Sequence, residues 1–173
     1  DDLRRLATQI KGLVDSKDNP NNFLGEKDAK LVRAMVVRMY SFNRLTLKDM
    51  SFDHSMLADG VNGHSIRNRD GTYVATLDNK MKGKHHRALT VIAHEISHLA
   101  TFRYLAPGSP EYNSWMTMYK SEKGEHYLRK MVVAWEGGIG TERTEKLVEN
   151  YMRNPAEFIA ATVQFHLLND VGA

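Results

Sequence analysis

Between Asp2 and Val14 the apolar residues Leu3, Leu6, Ile10, Leu13 and Val14 recur at helical spacing, which predicts a first helix over this stretch. The run Asp18-Asn19-Pro20-Asn21-Asn22 then breaks the chain. A second helix is predicted from Glu26 to about Tyr40, with Leu31, Met35 and Met39 on one row, and Thr46 with Asp49 resembles a short capping box. From Ser51 to Asp70 the character changes. Gly60, Asn62, Gly63, Asn68 and Asp70-Gly71 punctuate it, so loop and turn are predicted there. Thr72 to Leu77 alternates β-branched and aromatic positions and reads as a strand, paired with a partner just upstream of Asp70-Gly71. Helices follow near 85–105, 110–121, 125–135, 142–152 and 155–168. The expected fold class is α+β, mainly helical, with a small β-sheet or hairpin beside the helix that begins near residue 85.

Composition narrows this picture. A chain of 173 residues with 42% hydrophobic positions can bury a core without covalent staples, and a single domain over 1–173 is expected. The absence of cysteine removes disulfide frameworks, cysteine-based zinc fingers, iron–sulfur sites and thiol nucleophiles. No apolar run approaches the ~20 residues of a membrane span, and no signal-peptide pattern opens the chain. The start within a helix suggests a domain cut from a longer protein. A net charge of +3 and a pI near 9.1 invite a nucleic-acid reading. The cations are dispersed, however, and the run from Lys80 to Arg87 has no aromatic platform or recognition-helix pattern beside it. It reads as a solvated stretch before a helix, and no nucleic-acid or membrane partner is expected.

Chemistry concentrates in His94-Glu95-Ile96-Ser97-His98. Histidines at i and i+4 project from one helix face and can bind one metal ion, while Glu95 lies about 100° further round and can reach water activated by that ion. The surrounding Ala88-Leu89-Thr90-Val91-Ile92-Ala93, Leu99 and Ala100 make the helix largely apolar. Two imidazoles and a carboxylate inside such a helix are costly unless something satisfies them, and a metal with its water would do so. With no cysteine in the chain, zinc must be held by histidine and carboxylate, the ligand set of a hydrolytic site.

A third ligand must come from elsewhere. Thr101 and Tyr104 stand where a metzincin has glycine and histidine, so that class is excluded. A glutamate from a later helix remains. Glu157 is preferred: Asn154 can cap its helix, Pro155 suits the first position, and Phe158, Ile159, Ala160 and Ala161 form a compact packing face. Glu142 is the runner-up, with Glu122, Glu125 and Glu136 left open. His166, among Phe165, Leu167 and Leu168, is expected in the core or at a helix end.

The motif His94–His98 with a downstream glutamate-bearing helix resembles the gluzincin metallopeptidases, and Tyr151-Met152-Arg153-Asn154-Pro155-Ala156-Glu157 is similar to the corresponding segment of toxin proteases of the anthrax lethal factor type. The resemblance implies a zincin-like fold, a zinc-dependent endopeptidase, Zn²⁺ bound by His94, His98 and Glu157, Glu95 as general base, and Tyr151 as a donor to the oxyanion. It also implies a protein or peptide substrate, a monomeric domain, and a secreted or delivered bacterial effector as its setting. Two features depart from the family: the Tyr-to-Glu spacing is 157−151 = 6, one residue short, and the 157−98 = 59 residues after the motif imply an inserted helix around 110–135. Tyr104 is the alternative oxyanion donor. In such enzymes the substrate commonly adds as a strand to a sheet edge, so Thr72–Leu77 is expected to be the cleft edge, with an ordinary core strand as the equally compatible alternative. The competing function is a non-catalytic effector or adaptor domain with a structural metal.

Overall fold

The computed structural model describes residues 2–42, 49–104, 106–137 and 141–172, with the side chains of 40–42, 102–104 and 141 also outside the description. Thr46 of the expected capping box and the Tyr104 side chain therefore fall outside it. The chain divides into two compact units, Asp1–Ala100 and Thr101–Ala173. The class is α+β and mainly helical, with one small sheet.

In the first unit, α1 spans Asp2–Lys11 and buries Leu6 and Ile10. It stops earlier than its apolar spacing predicts. Beyond Gly12 the chain leaves the helix so that Val14 can bridge Leu24, with Asp15 N–H donating to the Leu24 carbonyl and Leu24 N–H to that of Leu13, each at 2.9 Å. Asn22 locks the return: its side-chain amide donates to the carbonyls of Gly12 and Val14 at 3.0 and 3.1 Å. Helix α2 (Glu26–Phe42) buries Ala29, Val32, Met35, Val36 and Met39, a 3–4 residue periodicity that leaves Leu31 at its margin.

The sheet contains β1 (Met50–Ser55), β2 (Gly63–Arg67) and β3 (Tyr73–Asp78) in the order β1-β3-β2. As expected, β2 and β3 form an antiparallel pair around Asp70-Gly71, in register from Gly63↔Leu77 to Arg67↔Tyr73. Gly71 takes φ 88°, and the Asp70 carboxylate accepts from the Thr72 hydroxyl and N–H, bonds that hold it below the usual carboxylate range. Strand β1, parallel to β3 from Met50↔Tyr73 to Ser55↔Asp78, lies within the segment read as loop. Its outer half, Asp53 to Ser55, is exposed and polar, so only Met50 and Phe52 carry an apolar signal.

Strand order corrects a further expectation. The segment Thr72–Leu77 is not an edge: β3 is the central strand, hydrogen-bonded on both sides and mostly buried, so it has no free backbone row for an added strand. Of its two neighbours, β1 meets α1, where Phe52 N–H donates to the Gln9 side chain at 2.8 Å. Past β3, the Asp78 carboxylate accepts from Lys80 N–H (2.8 Å) and Leu57 N–H (2.7 Å). These two bonds hold its pKa below the ordinary value, and the one from Lys80 caps the short turn Asn79–Met81. Helix α3 (His85–Tyr104) follows and buries Ala88, Leu89, Ile92, Ala93, Ile96, Leu99 and Ala100.

The second unit is helical: α4 (Pro110–Tyr119), α5 (Glu122–Glu136), α6 (Thr141–Met152) and α7 (Pro155–Val171). Ser109, Ser121 and Asn154 cap three of them by accepting from the backbone N–H three residues on. Helix α7 is the core element, with nine buried residues from Phe158 to Leu168, and Trp115 and Tyr119 set their rings against Phe158. His166 is exposed on the outer side of α7 rather than buried; the apolar run around it hid the one position that faces out. Asn154→Ala removes an acceptor from the first turn and is expected to lower the unfolding free energy by about 1 kcal/mol, measurable by denaturant titration.

Candidate metal centre and general base

In the first unit α3 presents the motif as its spacing predicts. The His94 and His98 rings lie 4.6 Å apart between centroids at 84°, one turn apart along the helix. His98 is 9% exposed and Glu95 7%. A carboxylate this well buried needs partners. One comes from β2: the Ser65 hydroxyl lies 3.0 Å from Glu95 Oε1 and 3.0 Å from the Glu95 main-chain carbonyl.

This contact exists because of Gly63. Gly63 and Ser65 are two apart on a strand and so face the same side. A methyl group at position 63 would stand 2.6 Å from Val91 Cγ1, 3.0 Å from the Thr76 carbonyl and 3.3 Å from Glu95 Cγ. The missing side chain thus lets β2 lie directly on the face of α3 that carries Val91 and Glu95. Val91 is β-branched and stiff, and the carbonyl belongs to the sheet, so neither yields cheaply. Gly63→Ala is expected to destabilise the fold by about 1–3 kcal/mol, seen as a lowered Tm. Neither Gly63 nor Ser65 was singled out from the sequence as a site residue. The only available signal was two small residues alternating in a segment otherwise read as loop.

In the second unit, Glu157 occupies the first turn of α7, where its N–H donates to Asn154 Oδ1 at 2.9 Å. Its side chain is 18% exposed and stands 3.6 Å from the Arg153 guanidinium. Tyr151, near the end of α6, sets its ring against Phe165 at 5.6 Å. Phe165 is eight residues beyond Glu157, about 12 Å along the helix axis by the standard rise. The runner-up ligand Glu142 is a solvated side chain, 87% exposed and 3.7 Å from Lys146. Glu145 and Glu125 both engage Arg129, Glu145 through two bonds of 2.9 and 3.0 Å. The paired guanidinium holds the Glu145 carboxyl below its ordinary range.

The other histidines have local roles. His85 Nε2 lies 3.0 Å from Asp15, and His54 Nδ1 is 2.8 Å from Asn79 Oδ1. His86 and His126 are exposed. Among the described residues no helix is long and apolar enough to cross a membrane. Nothing among family models, curated proteins or solved structures matches this chain.

Proposed function

We propose that the protein is a zinc-dependent endopeptidase of the gluzincin type. In this reading His94, His98 and Glu157 hold the ion, each giving one ligand atom. The observation that carries it is the pair of edge-to-face imidazoles on a buried helix face with the Glu95 carboxylate fixed beside them. The donor set suits zinc: two imidazoles and a carboxylate match a catalytic site, whereas closed structural sites take four protein ligands. When bound, zinc would polarise the scissile carbonyl and make water more acidic.

The chain's own groups then have defined tasks. Glu95 takes a proton from the attacking water as its oxygen bonds to the carbonyl carbon. It returns that proton to the amide nitrogen as the carbon–nitrogen bond breaks. Tyr151 is the proposed donor to the oxyanion. The substrate is a protein or peptide, the acting species a monomer, and resemblance to toxin proteases makes a delivered bacterial effector the proposed setting.

Zinc analysis of purified protein, followed by cleavage of a peptide library with and without a chelator, tests this reading. Stoichiometric zinc and chelator-sensitive, zinc-restorable cleavage are expected. Protein that takes up zinc but cleaves nothing would instead favour a non-catalytic domain with a structural metal.

A further inference from the structure

We infer that Ser65 is a positioning residue for Glu95, fixing which carboxylate oxygen faces the reacting water; this rests on the peptidase reading above. The observation is the double contact of one hydroxyl, 3.0 Å to Glu95 Oε1 and 3.0 Å to the same residue's main-chain carbonyl. A free glutamate side chain samples several rotamers and both oxygens are equivalent. Tying Oε1 to a strand hydroxyl that is also tied to the helix backbone removes both freedoms. Oε2 is then the oxygen left to collect the proton. The anchor is rigid because its strand is rigid: β2 is paired residue for residue with the buried central strand, and Gly63 seats it against Val91 and Glu95.

A hydroxyl also suits a group that gains and loses a proton during turnover. It donates to the carboxylate. When Oε2 takes up the proton, Oε1 becomes the carbonyl oxygen of a carboxylic acid and still accepts from the hydroxyl. Serine therefore satisfies both forms without moving the strand. Alanine would satisfy neither, and lysine would fix only the charged one.

Two measurements decide the matter. In steady-state kinetics, Ser65→Ala is expected to lower kcat by roughly tenfold to a hundredfold, the range that displaced catalytic geometry produces, with KM and zinc content unchanged. Ser65→Thr, which keeps the hydroxyl, should restore most of the loss. In the metal-free protein, a double-mutant cycle of Ser65→Ala with Glu95→Ala should show non-additive shifts in Tm. The bond to the main-chain carbonyl cancels in that cycle and only the carboxylate bond remains. Additive shifts, or a Ser65→Ala enzyme with wild-type kcat, would overturn the inference while leaving the peptidase reading in place. Failure of the wild-type protein to cleave any peptide would remove the peptidase reading first, and the catalytic role of Ser65 with it.

Discussion

Glu95→Gln should reduce kcat by on the order of 10³-fold, within the span that a general acid–base group contributes, while zinc content stays at the wild-type level. The substitution keeps the shape of the side chain and removes its chemistry. Glutamine has the same outline as glutamate, and its amide oxygen can still accept from Ser65, so the 7%-exposed site keeps its packing and its bond to β2. What disappears is a group able to take a proton from water and deliver it to the leaving amine. Zinc retention follows because Glu95 is adjacent to the proposed ligands without being one. Steady-state kinetics and metal analysis on the same preparation provide the test. Near-wild-type turnover would sink the mechanism, whatever the metal content.

The second large effect is expected at the proposed third ligand. Glu157→Ala should weaken zinc binding by more than the ~10–100-fold typical of losing a residue that merely supports a ligand. Competition against a chromophoric chelator would measure it. The substitution is clean for a structural reason. Asn154 caps α7 by accepting from the Glu157 backbone N–H, which alanine retains. The ion pair with Arg153 joins a well-exposed guanidinium at 3.6 Å, and such surface pairs contribute little. Lost affinity would therefore report on the carboxylate and not on an unravelled helix. Glu142→Ala is the control, since that side chain is solvated and its loss should leave zinc unaffected. If Glu142→Ala released the metal and Glu157→Ala did not, the ligand assignment would be wrong.

Helical structure was the more readable part of this chain. From residue 85 onward each expected helix is present with ends within three residues, because apolar spacing, serine and asparagine caps and prolines at first positions are all local signals. The sheet was read less well. Strand β3 and its hairpin are visible through alternation and Asp70-Gly71, yet from sequence β1 reads as loop and β3 as an edge. Alternation shows that a strand has two faces and is silent about its neighbours. The parallel pairing of Met50 with Tyr73 joins residues 23 positions apart, and no short-range pattern encodes it.

The site divides along the same line. His94, Glu95 and His98 share a helix, so helical geometry alone dictates that the imidazoles meet, and their 4.6 Å separation follows from the spacing. The cap of α7 and the place of Glu157 in its first turn were equally local. Only the tertiary structure decided that β2 carries Ser65 to the Glu95 carboxylate, that Gly63 makes room for it, and that the Tyr151 ring lies against Phe165. Residue types and their periodicity set what one element displays, because those depend on bonds within a few residues. Which elements then touch depends on packing and strand pairing between distant segments, and that was decided only when the chain folded.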